Sequence, residues 1–190
     1  MSAKRGLRIR GLRQRWLVNA VLPIVLVVIA IVTVYTLGVR RTYYSAMRSG
    51  LETRARVAAD NFSSYGLKSY SEYFRYASIT AETFEEKDRL ELQFISANGK
   101  LVASSYGKFA GRSPSTPEIQ QAIDSQQIRH YKGRNPLTGE RILAVSSPMI
   151  YTNGEVIGVL RYVTSLRNAD LQILMIALIA VTIVLSIRIM

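Results

Sequence analysis

Two long apolar runs bracket the middle of this chain, the first from Trp16 to about Val39 and the second from Leu171 to Ile187. About 20 consecutive apolar residues let an α-helix cross the hydrocarbon core of a bilayer. The residues between the runs have ordinary soluble composition. The pattern predicts a basic cytoplasmic tail over 1–15, a first transmembrane helix over 16–39, an extracytoplasmic domain over 40–168 and a second transmembrane helix over 169–190.

Charge sets the orientation. Lys4, Arg5, Arg8, Arg10, Arg13 and Arg15 precede the first run, and no acid occurs among the first fifteen residues. Lys and Arg beside a span stay on the cytoplasmic side, where they meet anionic lipid headgroups. Arg188 marks the inner end of the second run, while Arg40, Arg41 and Arg48 sit on the opposite side. A cleaved signal peptide would share the basic start. This apolar run is longer than such a peptide's core, and Gly38-Val39-Arg40-Arg41 lacks a small-x-small cleavage site. An uncleaved span in a bacterial cell membrane is therefore expected, with Trp16 as an interfacial anchor and Pro23 tolerated inside the helix.

The formal charge is +12. With the six tail cations and Arg188 set aside, 18 basic and 13 acidic residues remain. That mild excess is not the dense basic stripe of a nucleic-acid binder. Cysteine is absent, which removes disulfides, a thiol nucleophile and Cys metal sites. Ser104, Ser105, Ser146 and Ser147 have no base beside them, so a hydrolase triad is unsupported. Neither a cofactor nor a metal is expected.

Between the spans the periodicity changes from helical to alternating. Met47, Leu51, Ala55, Ala58, Ala59 and Phe62 recur at helical spacing, so the first helix is predicted to continue as a stalk to about Tyr65, with Gly66 as its stop. A second helix is predicted over Ser69–Lys87, its aromatic residues packing in the core. Strands follow over Glu91–Ala97 and Lys100–Ser105, joined by Asn98-Gly99, a favoured hairpin dipeptide. Pro117 at the first helical position opens a short helix to Ser125. Three more strands are predicted over Ile128–Lys132, Arg141–Tyr151 and Glu155–Ser165. The predicted fold class is α+β: a curved five-stranded antiparallel sheet with the N-terminal helices on one face.

The hairpin Phe94-Ile95-Ser96-Ala97-Asn98-Gly99-Lys100-Leu101-Val102-Ala103-Ser104-Ser105 resembles that of extracytoplasmic Cache domains. Pro117-Glu118-Ile119 with Ala122-Ile123 looks like their next helix. Val145–Pro148 and Asn153-Gly154-Glu155-Val156-Ile157-Gly158-Val159-Leu160-Arg161 resemble their closing hairpin and last strand. Over roughly 90–166 the chain is thus similar to the sensor half of bacterial sensor histidine kinases with a Cache or PAS-like outer domain. The resemblance implies transmembrane signal sensing, and a homodimer is expected because two chains side by side would pass a shift of the spans to cytoplasmic helices. The resemblance also implies a HAMP linker, a phosphoacceptor helix pair and an ATP-binding domain beyond the second span, and this chain stops at Met190. A response regulator is a partner only through that absent part. His130, the single histidine, lies in His130-Tyr131-Lys132-Gly133, which does not match a phosphoacceptor motif. Another receptor class with the same outer domain, a chemoreceptor or a cyclic-dinucleotide enzyme, stays open. So does a complete two-span regulator of a membrane partner.

Arg129, His130, Lys132 and Arg141 gather on neighbouring strands, and Arg161 lies on the last strand. These five are the candidate ligand-binding residues, suited to a small anion such as a carboxylate or phosphate. On a strand, Arg129 and Tyr131 face one way and His130 and Lys132 the other. The same charges also suit a solvated strand edge. Glu82, Glu85, Glu86, Asp88 and Glu91 form an acidic run that suits a solvated helix end, a divalent cation or a partner. Little slack separates the last strand from the second span, so repacking of the sheet would shift one span against the other. Ala177 and Ala180 are small enough for close helix approach between two copies.

Overall fold

The computed structural model describes residues 12–64, 70–107, 113–151 and 153–186. The chain divides into two compact units, Tyr43–Leu171 on the one hand and Met1–Thr42 with Gln172–Met190 on the other.

Helix α1 is continuous over Leu12–Ser64, 53 residues with Pro23 inside it. In its apolar part Thr33 and Thr36 donate to the carbonyls of Ile29 and Val32, which satisfies both hydroxyls within the helix. Ile24, Leu26, Val27, Ile29, Ile31 and Val34 are all more than half exposed. Contiguous apolar exposure of this extent marks a surface made for something other than water. Among the described residues α1 alone is long and apolar enough to cross a membrane. The second expected span coincides with α4, Arg167–Ser186, which exposes Leu171, Leu174, Met175, Leu178 and Ile179. Ile187–Met190, the expected stop at Gly66, and the side chains of Trp16, Ala177 and Ala180 lie outside the described residues.

Within Tyr43–Leu171, α1 buries Tyr44, Leu51, Ala55, Ala59 and Phe62, one stripe at helical spacing. Helix α2, Tyr70–Glu82, buries Tyr73, Ala77 and Ala81. It ends five residues before the expected Lys87. Continuing it would put Glu85 and Glu86 beside Glu82 at a helix C-terminus, where negative charge is disfavoured. The chain turns instead, with the amides of Arg89 and Leu90 donating to the Glu86 carbonyl, and Leu90 enters the core. The acids of the run at 82, 85, 86 and 88 are exposed, and Arg54 of α1 pairs with Glu86.

The sheet is β1 (Glu91–Ser96), β2 (Leu101–Ser104), β3 (Arg129–Arg134), β4 (Arg141–Ile150) and β5 (Val156–Ser165), with α3 (Pro117–Ser125) between β2 and β3. Its spatial order is β2-β1-β5-β4-β3, every neighbour antiparallel. The last strand therefore enters the centre and joins the two halves. Strand β3 runs two residues beyond its predicted end because Gly133 and Arg134 still pair with Ile142 and Arg141. The β1–β2 turn is at Asn98-Gly99, with Gly99 at φ +77°, a conformation that glycine adopts without steric cost.

Each face of the sheet has its own cover. Phe94 and Tyr162 lie on the face packed by the helices, where Phe62 meets Phe94 at 5.6 Å and Tyr73 at 5.4 Å, and Phe84 meets Tyr162 at 5.9 Å. On the opposite face α3 sets Ile119 and Ala122 against Ile95 and Val159. The part of that face that α3 leaves uncovered carries the site.

Candidate functional site

Register places Ser104, Gln93, Arg161, Ser146 and Arg129 in one row across the five strands. A polar row through a sheet interior demands partners, because an unpaired buried polar group is costly. Arg161 is 2% exposed. It donates through Nε to Glu118 Oε1 at 2.9 Å, through Nη1 to Gln93 Oε1 at 2.7 Å and through Nη2 to Thr116 Oγ1 at 2.9 Å. The Thr116 hydroxyl donates to the same Glu118 oxygen at 2.7 Å. Thr116 is the N-cap residue of α3, yet its hydroxyl makes no cap bond and serves the arginine instead. Gln93 Nε2 and Ser104 Oγ then both donate to Glu91 Oε1, at 2.6 and 2.8 Å. Burial pushes the Arg161 guanidinium below its usual pKa, and Glu118 and Glu91 work against that shift.

Beside this network the sheet face opens into a cavity of about 280 Å³, at the small end of ligand pockets. Glu91, Gln93, Arg161, Val163, Ser165 and Ile142 form its floor, with walls from Tyr106, Pro114 and the β3–β4 turn at Asn135, Leu137, Thr138 and Glu140. The Tyr106 hydroxyl has its pKa raised by burial first and then by Glu91, Glu140 and Asp88. Two carboxylates, Glu91 and Glu140, thus line the cavity beside Tyr106.

The five cations singled out from sequence do not share this place. Arg161 lines the cavity. Arg129 is on the same face but two strands away, where its Nε donates to Ser125 Oγ at 3.1 Å, at the C-terminal end of α3 that favours a cation. His130, Lys132 and Arg141 project from the other face. Lys132 Nζ sits 3.3 Å above the Tyr44 ring, a cation–π contact. Arg141 pairs with Asp170, which also accepts a hydrogen bond from the Tyr44 hydroxyl. His130 Nδ1 lies 4.0 Å from Glu52, itself paired with Arg48. Lys132 and Arg141 thus join the sheet to α1 and to the first turn of α4. Of the other lining residues, Gln93, Tyr106 and Glu140 are absent from the sequence candidates, and Glu91 appears there only as the last member of the acidic run.

The His130 pKa is lowered by burial first and by Arg48 and Arg129, against Glu52 and Glu118. A folded-state pKa below the unfolded one contributes stability that is present above the ordinary histidine range and lost as pH falls through the folded pKa. The His130 contribution should therefore decline as pH falls from neutral through and below the ordinary histidine range. His130→Gln should remove that slope, a small one because the side chain is 39% exposed. Thermal unfolding of the two proteins across that range reads the difference, and parallel curves would refute it.

No family model and no curated protein matches this chain. Solved structures do. The sensor domain of the V. cholerae histidine kinase DctB superposes with a TM-score of 0.58 at 20% identity, over 72% of this chain and 57% of that one. The sensory domain of the Campylobacter jejuni chemoreceptor Tlp3, with isoleucine bound, gives 0.58 at 14% identity over 73% and 60%. The ligand-binding domain of the Pseudomonas aeruginosa PAO1 amino acid chemoreceptor PctC, in complex with GABA, gives 0.51 at 15% identity over 74% and 63%. The chain thus spans less than two thirds of the length of each. At these identities the likeness is one of fold, the α+β fold shared with those sensor and ligand-binding domains.

Proposed function

We propose that this chain is the sensing part of a two-span bacterial membrane receptor, with residues 40–168 outside the cell and the N-terminus inside. A small ligand enters the cavity beside Arg161, and its occupancy is passed through the two helices to a cytoplasmic output. A sensor histidine kinase module is the favoured output, and a chemoreceptor module shares the same sensor fold. The observation that carries the reading is the path out of the cavity. Strand β5 forms the cavity floor and reaches α4 through Leu166 alone. Within one turn of that junction, Asp170 ties β4 to α1 through Arg141 and Tyr44. A ligand that prefers one packing of β5 over another shifts the populations of the two.

The test is a thermal-shift screen of small polar metabolites on the full chain in lipid nanodiscs. A stabilising compound should lose its effect in Thr138→Trp, which fills the cavity from an exposed turn. If every stabilising compound acts equally on that variant, the cavity is not the sensor site. Topology has its own check, because the chain lacks cysteine. Gln120→Cys should react with a membrane-impermeant maleimide on intact cells, and Ser2→Cys should react only after lysis. Labelling of both on intact cells would overturn the orientation. Two copies per nanodisc, read by mass photometry, is the result expected for the proposed homodimer, and single copies only would refute it.

A further inference from the structure

Resting on the reading of the cavity as the ligand site, we infer that its ligand carries a primary ammonium group on a short aliphatic body. Among the described residues that line the cavity, Arg161 is the sole cation. Its Nε, Nη1 and Nη2 already serve Glu118, Gln93 and Thr116. Two of its five N–H groups remain, and its charge is already matched by Glu118 at 2.9 Å. Two carboxylates also line the cavity, Glu91 and Glu140. Gln93 and Ser104 donate to Oε1 of Glu91, and Ser165 donates to Oε1 of Glu140. Among the described residues neither has a cation of this protein within ion-pair distance.

Taken with the Glu118 beneath Arg161, the described residues of the cavity carry an excess of negative charge. An anion entering it meets repulsion that grows as water is displaced, whereas an ammonium meets two acceptors. Tyr106 also lines the cavity, and its hydroxyl pKa is raised by burial first and then by Glu91, Glu140 and Asp88. Leu137, Ile142 and Val163 supply apolar wall for methylene groups. The charge of the cavity therefore selects against the small anion that the basic pattern on β3 and β4 suggests. Those cations are committed elsewhere in the fold.

A matched five-carbon series separates the possibilities on the full chain in nanodiscs. The probes are 1,5-diaminopentane, 5-aminopentanoate and pentanedioate, read by calorimetry and thermal shift. The two amines should bind and pentanedioate should not. Glu140→Gln, an exposed position, should weaken the diamine about tenfold, the loss of one close charge interaction. Glu91→Gln should weaken it at least as much. Binding of pentanedioate alone, abolished by Thr138→Trp, would overturn the ammonium assignment and leave the cavity as the sensor site. Amine binding undiminished in Thr138→Trp would overturn the site itself. Absence of binding by both amines would overturn the ammonium assignment.

Discussion

Arg161→Met is expected to lower the stability of the outer domain by about 3–5 kcal/mol, the cost of leaving one partner of a buried ion pair behind. The Glu118 side chain is 1% exposed, and its second oxygen has no hydrogen-bond partner among the described residues. Without the guanidinium the carboxylate has no counter-charge, and Gln93 and Thr116 each lose a donor. In a domain of this size such a loss corresponds to a fall in melting temperature of roughly 10 °C or more. The companion variant decides the cause. In Arg161→Met with Glu118→Met, both charges leave together, and at least half of the lost stability should return. Circular dichroism melts of the full chain at one detergent concentration provide the comparison. A single variant that melts with the parent protein, or a double variant worse than the single, would show that the pair does not act as described.

Gly158→Ala is the second large effect. Gly158 lies on β5 opposite Ser96 of β1. A Cβ built there falls 2.2 Å from the Ile95 carbonyl oxygen and 3.1 Å from the Tyr73 hydroxyl. The first contact is with backbone in the centre of the sheet, so no side-chain rotation relieves it. Either the β1–β5 ladder opens or the strand bends, and overpacking of a well-filled core costs about 1–3 kcal/mol or more. Gly99→Ala is the useful contrast, because nothing lies within 4 Å of its added Cβ and its φ of +77° is the only strain. The expected order of melting temperatures is parent, then Gly99→Ala, then Gly158→Ala. Equal losses at the two positions would argue against the steric account.

The two variants probe parts of the molecule that were unequally legible beforehand. Glycine and proline punctuation was a local signal, and Asn98-Gly99 and Pro117 stand where the sequence placed them. The strands were legible from alternation; β3 alone runs past its turn signal, and the other ends fall at the expected residue or one inside it. What alternation does not give is the neighbour of each strand. The insertion of β5 between β1 and β4 depends on contacts distant in sequence. The same gap explains the site. Glu91 and Gln93 alternate with Leu92 and Phe94, a pattern sufficient to put both polar residues on one face. The cations drew attention because they were clustered in sequence, but β3 sends neighbouring residues to opposite faces. Glu140 and Tyr106 had no signal of their own, since only the folded turn brings them to the cavity.

The Arg161 network also bears on how the domain assembles. Its partners come from far along the chain, 43 residues away at Glu118, 45 at Thr116 and 68 at Gln93. A β4–β5 hairpin formed early holds the cation with none of them. Burying it before α3 and β1 arrive would strand a charge, and gathering those segments pays the entropy of long loops first. The partly built sheet is therefore poorly rewarded until nearly all of it is in place. One charged side chain at the centre thus favours a sharp, all-or-none folding transition over a succession of stable intermediates.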